Sequence, residues 1–332
     1  MRGLCVDLGT GSTWVCSLPG GATVCEPSVV TVDTEDGIII DAGSISKEAI
    51  GKTPESLMAI KPLSGGVIAD YSAAEGMVKM LVKKALNRTV LTGVTALVTT
   101  PSNATQMERR AAAETVKNLG VSTAYTIPGS MAAALGAGVN VLTPTGNMVV
   151  DIGAGTADSA VIALGTIATG NCIKEAGDSM DAAIVSYVKR KYNVIIGENT
   201  AEKMKIELGC ALPKAKNELK KYKGRDISTG LPREIALYSE EIRLVVADII
   251  KKIIDSVIIT LEKTPPELLS DVMEAGIILT GGCSNLYGIE ELFTQKTGFK
   301  TKVAESPSGC TIRGAQKVIS DKKLKKLLKI TD

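Results

Sequence analysis

Asp151 closes the apolar run Met148-Val149-Val150 and opens the stretch DIGAGTADS, which passes at Ser159 into a second apolar run, Ala160 to Ala163. An apolar strand, a carboxylate at its end, a glycine-rich tight turn and a returning strand make a hairpin whose turn backbone can close on phosphate oxygens, because no side chain stands in the way. Taken alone, the stretch reads equally as an ordinary antiparallel hairpin, since Asp-x-Gly favours turns wherever it occurs. The start of the chain repeats the grammar, with Leu4-Cys5-Val6 followed by Asp7-Leu8-Gly9-Thr10-Gly11-Ser12-Thr13. A pattern seen twice implies two similar halves. Two such turns facing each other would grip a polyphosphate from both sides. Asp7 and Asp151 would then hold a hydrated Mg²⁺, an ion that takes few carboxylates and several waters.

Composition narrows the chemistry further. The 332 residues contain no histidine, which removes the usual general base and the commonest metal ligand. Carboxylates, hydroxyls and backbone amides must do the work. Lysine and arginine number 38 against 36 acidic residues, a formal charge of +2 that gives no overall case for nucleic-acid binding. The seven cysteines are scattered without any C-x-x-C spacing and read as small core or site-lining residues of a reducing compartment. Neither a secretory leader nor an apolar run of the roughly 20 residues that a membrane helix needs is evident, so a cytoplasmic protein is expected. At 45% hydrophobic and 3% aromatic, the core must be aliphatic and large enough for about two domains.

The elements that would position these turns follow from periodicity. Short strands are expected at Ser28 to Val32 and Ile38 to Ile40, a helix at Ala73 to Leu86, a strand at Val94 to Thr99, and a helix at Gln106 to Leu119 capped by Thr105 and Glu108. An Ala-rich helix at Met131 to Ala137 is small enough to pack closely beneath a site. The alternation then repeats: strands at Met148 to Val150 and Ala160 to Leu164, helices at Met180 to Tyr192 and Glu198 to Gly209, and a long helix from Ser239, read as its cap, to Glu262. Glu202 and Lys205 share one face of their helix. The strand Gly276 to Thr280 runs into Gly281-Gly282, a pair that suits either a flat purine or a close-packed corner.

Together DLGTGST, DIGAGTAD, LTGG and the Glu202-Lys205 helix resemble the actin, sugar-kinase and Hsp70 ATPase superfamily. Within it the closest resemblance is to the MreB family of bacterial actin homologues. EPSVV at Glu26, GVIADY at Gly66, MERR at Met107, MAAALGAG at Met131, GENTAEKMKIELG at Gly197, TGLPREI at Thr229 and LEKTPPELLSD at Leu261 look like MreB blocks in MreB order, over essentially the whole chain. The resemblance implies an α/β actin-like ATPase fold, two lobes each built on a ribonuclease-H-like sheet with nucleotide in the cleft. Domain I would comprise residues 1–140 plus 310–332, with a small subdomain near 30–70. Domain II would comprise 141–309, with one near 178–240. It also implies ATP and Mg²⁺ as ligands, polymerisation into filaments at the inner face of the cell membrane, and a role in cell shape.

By position, Thr10, Gly11 and Ser12 would cradle the phosphates, opposed by Ala154, Gly155 and Thr156. Asp7 and Asp151 would bind magnesium waters. Glu202 and Lys205 would hold the ribose, Lys203 and Met204 between them would also belong to the nucleotide site, and Gly281, Gly282, Cys283 and Ser284 would border the adenine. Met107 matches an apolar residue used where family protofilaments pair. One departure stands out: where the family carries a water-orienting acid, this chain reads Pro128-Gly129-Ser130-Met131, so Gly129 replaces the carboxylate. Thr156 and Asp158 remain as the catalytic candidates, and weak or absent ATP hydrolysis is expected. The alternative is a non-hydrolysing structural polymer or regulator that copolymerises with an active paralogue of the same family, and more remotely a sugar kinase or Hsp70-type ATPase. The family's membrane loop would fall near Val90-Leu91-Thr92, with few apolar side chains. Leu324, Leu327 and Leu328 amid Lys322, Lys323, Lys325, Lys326 and Lys329 read instead as a basic amphipathic end, either able to lie on anionic lipid or packed on the first domain.

Overall fold

A computed structural model describes residues 2–20, 22–86 and 91–330. Its frame is a pair of sheets. The first orders its strands Lys329–Ile330, Thr123–Pro128, Thr95–Thr100, Gly3–Leu8, Ser12–Leu18, Thr23–Pro27; the second orders Thr166–Ile173, Ala157–Ala163, Asn147–Ile152, Ile277–Thr280, Thr301–Val303. Each contains a strand with the signal carboxylate one residue before its end, which lies antiparallel to its own hairpin partner and runs parallel to a strand ending in threonine. Asp7 sits opposite Trp14 on one side and Thr99 on the other; Asp151 sits opposite Asp158 and Thr280. The repeat legible in two short stretches therefore extends to strand pairing, and the two-lobed actin-like architecture is observed.

Buried positions explain why these segments form sheets. Leu4, Val6, Val149 and Val150 are fully enclosed, as continuous apolar runs in sheets covered on both faces require. Between the sheets lie the helices Gly129–Gly136 and Cys310–Ser320, which share one core with Cys5, Leu97 and Ile127 of the first sheet and Val149, Ala160 and Ile162 of the second. Glycine lets them touch: a Cβ on Gly136 would fall 1.7 Å from the Cys310 carbonyl oxygen, and one on Gly314 would fall 1.8 Å from that of Ala132. The close packing expected of the Ala-rich helix is thus observed beneath the cleft. The long helix Ser239–Glu262 buries Ile242, Val246, Ile249, Ile250, Ile253, Ile254, Val257 and Leu261 along one stripe. Ser239 is its first helical residue rather than its cap. Asn217 Oδ1 accepts the Glu240 N–H, and Glu241 accepts that of Tyr238. Thr105 and Glu108 do form the expected capping box.

Small three-stranded sheets flank the frame on either side of the cleft, Val30–Asp33 with Ile39–Ala42 and Leu57–Ile60, and Val194–Ile195 with Leu219–Asp226 and Pro232–Tyr238. The basic C-terminal end packs on the protein, one of the two arrangements expected of it, but does not form the helix that its leucine spacing suggests. Residues Leu324–Leu327 make a single 3₁₀ turn, after which Lys329–Ile330 pairs with the edge strand Thr123–Pro128. Leu327 is buried, and Leu324 and Leu328 pack on the core between the sheets. Capture by an open sheet edge outcompetes a short helix whose leucines would otherwise face water. Of the loop expected at Val90, Leu91 and Thr92, Val90 lies outside the described residues, while Leu91 is buried in the first core. Among the described residues no helix is long and apolar enough to cross a membrane.

Candidate functional site

The two glycine turns meet head to head. A Cβ on Gly11 would lie 2.7 Å from Cβ of Ala154, and one on Gly155 would lie 2.3 Å from Oγ1 of Thr10. Only glycine permits this approach. The second turn is closed on itself, the Gly153 N–H donating to the Thr156 carbonyl at 2.9 Å, and the first is braced from outside by the Ser28 hydroxyl, which donates to the Gly9 carbonyl at 2.6 Å. A third strand pair contributes Gly66, whose N–H donates to Thr10 Oγ1 at 2.9 Å. Around these turns opens a cavity of about 610 Å³, within the size range of small-molecule and cofactor sites.

Three carboxylates line its floor. The Thr99 hydroxyl donates to Asp7 Oδ1, and the Thr280 hydroxyl donates to Asp151 Oδ1 at 2.9 Å, so the paired strand ends carry matching Thr–Asp contacts. Burial pushes Asp7 up to about 7 and Asp151 to about 6, against the opposing pull of those hydroxyls. Asp158 is also raised to about 6 by burial; its Oδ2 accepts the Ser102 N–H at 3.0 Å and the Ser102 hydroxyl at 2.6 Å. The Ser102 hydroxyl further shares a 2.5 Å hydrogen bond with that of Ser130. Gly129 lines the same floor at the start of its helix, bringing no side chain.

The opposite wall comes from the helix Glu198–Leu208 and the turn after Ile277–Thr280. Gly281 has φ +85°, and a Cβ there would strike the Ile152 carbonyl oxygen at 2.3 Å, so the turn presses on the strand bearing Asp151. Burial raises the Cys283 thiol to about 11, and it donates to the Gly153 carbonyl at 3.2 Å. Lys205 is buried, donating to Asp181 Oδ2 at 2.7 Å and to the Gly177 carbonyl at 3.0 Å. Glu202 lies 2.5 Å from the ammonium of Lys47, which arrives from the other side of the cleft.

The structure therefore brings to one cavity Asp7, Thr10, Gly11, Ser12, Gly129, Asp151, Ala154, Gly155, Thr156 and Asp158, together with Glu202, Lys205, Gly281, Gly282 and Cys283. Three expected residues do not line it. Lys203 points outward, 4.0 Å from Glu207, because it falls on the opposite face of its helix from Lys205. Met204 is fully enclosed in the second core, and the Ser284 hydroxyl is spent on the Thr280 carbonyl at 2.5 Å. Residues that sequence reasoning missed are Thr99, Thr280, Ser102, Gly66 and Lys47. The two threonines carried a signal, since LVTT and IILT both end an apolar strand in Thr. Lys47 and Ser102 carried none.

Two sheets of matching topology, with facing glycine turns and a carboxylate at each strand end, define an actin-like ATPase fold. The family model described as MreB/Mbl protein matches residues 1–327. The cell shape-determining protein Mbl of Bacillus cereus is 39% identical over 313 residues, covering 94% of each chain. The cell shape-determining protein MreB of Escherichia coli K12 is 37% identical over 321 residues, covering 95% of this chain and 92% of that one. The crystal structure of MreB 5 of Spiroplasma citri bound to AMPPNP superposes with a TM-score of 0.92 at 34% identity, covering 98% and 97%. The chain belongs to the MreB/Mbl family.

Proposed function

We propose that this chain binds ATP with Mg²⁺ in the cleft, assembles into filaments of its own copies and acts in cell shape. The observation that carries the reading is the contact between the two glycine turns, which leaves backbone N–H groups of both lobes around one polyphosphate-sized space. A relative of the same fold binds AMPPNP, and curated relatives determine cell shape. Thr10, Gly11 and Ser12 would hold one side of the phosphates and Ala154, Gly155 and Thr156 the other. Glu202 accepts from ribose hydroxyls, Gly281 to Cys283 border the base, and Lys205 holds Glu202's helix to Asp181. The lobes divide as 1–140 with 310–332, and 141–309.

Asp7 and Asp151 suit magnesium. Both are half-buried carboxylates whose ionised form is penalised by the surrounding protein without a cation, and the oxygen that threonine does not claim on each has no protein partner among the described residues. When bound, the ion would neutralise phosphate charge; the protein's own part is to hold the two carboxylates at matched strand ends.

Hydrolysis should be slow. Gly129 offers no acid, and the one unpartnered oxygen of Asp158, Oδ1, is sealed from solvent while Oδ2 is tied to Ser102. Thr156 alone is left to orient a water. The same observation favours a second reading, a polymer that binds nucleotide without turnover and joins an active paralogue. Exposed Lys322, Lys323 and Lys326 leave an electrostatic route to the inner membrane surface, without help from the inward-facing leucines. ATP-dependent pelleting with phosphate release read in the same tube tests the whole. Pelleting with ATP and Mg²⁺ and little phosphate supports it; no pelleting at any nucleotide contradicts filament formation, and brisk phosphate release contradicts the role given to Gly129.

A further inference from the structure

Lys47 belongs to the short helix Ser44–Ala49, on the opposite side of the cleft from Glu202. That helix is anchored at its start and at Lys47 itself. The Ser44 N–H and hydroxyl donate to Glu26 Oε2 at 2.9 and 2.7 Å, and the Lys47 carbonyl accepts from Asn199 Nδ2 at 2.8 Å. A second bridge, Lys61 to Glu198 at 2.6 Å, ties the same two bodies. Glu198, Asn199 and Glu202 fall on one face of the helix Glu198–Leu208, so three contacts span the cleft mouth side by side. Lys47 and Glu202 both line the cavity and are each about one-third exposed, 30% and 34%, so solvent weakens their attraction without abolishing it.

We infer that Lys47 is a positioning residue for nucleotide binding, holding the Glu202 carboxylate ready for a ribose. The inference rests on the nucleotide reading of the cleft. Lys47 takes Oε2 of Glu202 and leaves Oε1 to accept a ribose hydroxyl. Without it, the glutamate has several rotamers to choose from, and ordering one of them opposes binding. Because Lys47 comes from the facing lobe, the ribose is read only when the lobes approach each other. Sugar recognition and lobe closure become one event.

The test is calorimetric titration of the full chain with Mg²⁺ and either ADP or 2′,3′-dideoxy-ADP, which offers Glu202 no hydroxyl. Replacing Lys47→Met should weaken ADP about five-fold, the upper end for a partly exposed ion pair. Dideoxy-ADP should be left within about two-fold of the native value by the same change. Lys47→Arg should restore most of the ADP affinity, and added salt should narrow the gap between ADP and dideoxy-ADP only where residue 47 is cationic. Equal weakening of both ligands, or of neither, overturns the assignment while leaving the nucleotide reading intact. A native chain that binds no ADP overturns both.

Discussion

Gly129→Glu restores an acid to the cleft floor, and its consequences follow from local geometry. A Cβ at residue 129 would stand 3.5 Å from the Thr100 carbonyl oxygen, an ordinary contact, and the residue is not among those with positive φ. The Cβ and the backbone therefore accept the substitution without strain. Position 129 opens the helix Gly129–Gly136, where a negative charge gains about 0.3–1 kcal/mol from the helix dipole. Removing glycine's unfolded-state freedom adds about 0.4–1 kcal/mol more. The variant should therefore melt about 1–3 °C higher than the native chain. A positioned acid or base typically contributes at least about 10² in rate, so phosphate release from ATP should rise by about that factor. Gly129→Ala separates the two effects, since it gains the backbone benefit and leaves the rate unchanged. Phosphate release with a coupled sensor, alongside thermal melting of all three proteins, reads both. A folded, nucleotide-binding Gly129→Glu that releases phosphate no faster than Gly129→Ala would refute the reasoning that links Gly129 to slow hydrolysis.

Other perturbations test other parts of the account. Gly155→Ala places a methyl 2.3 Å from Thr10 Oγ1 and must part the turns, so nucleotide affinity should fall at least about ten-fold with the far-ultraviolet circular dichroism unchanged. Lowering the pH from about 8 to about 6 protonates Asp7 and Asp151, held near 7 and 6, and Mg²⁺-dependent nucleotide affinity should drop by about ten-fold, measured by titration at each pH. The same protonation acts oppositely on the free protein. Carboxyls with raised folded pKa bind more protons folded than unfolded, so their burial cost is relieved as pH falls through 7 and then 6. At Glu241, burial alone would raise the carboxyl, but Lys191, the Tyr238 N–H and the hydroxyls of Tyr192 and Tyr187 outweigh it and hold the group at about 2. Glu241→Gln should cost about 1–2 kcal/mol at neutral pH by denaturant titration. The native contribution is present above about 4.5 and lost as pH falls toward 2, so the two proteins should converge in acid.

The parts of this molecule that were legible in the sequence are those governed by local rules. The Asp7 and Asp151 turns announce themselves because apolar run, carboxylate and glycines are contiguous, and the helix Ser239–Glu262 because its apolar residues keep helical spacing over six turns. The family resemblance added what no local rule supplies, that the two turns share a cleft. Contacts made across the cleft left no trace. Lys47 sits on a six-residue helix with nothing to mark its partner 155 positions away. The resemblance implied Lys205 as a ribose ligand, a role the local sequence could not test; its ammonium donates to Asp181 and to the Gly177 carbonyl. The C-terminal leucines kept a helical spacing that the open edge of Thr123–Pro128 overrode, and the lysine-rich strand Leu219–Asp226 escaped notice because its charges mask its alternation.

The central claim is that the turns at Gly9–Ser12 and Gly153–Thr156 hold one triphosphate between them. A crystal structure of the chain grown with AMPPNP and Mg²⁺ tests it most directly. The β- and γ-phosphates should lie within hydrogen-bonding distance of backbone N–H groups from both turns, with the metal facing Asp7 and Asp151. Phosphates seated on only one turn, or a nucleotide bound outside this cleft, would contradict the account.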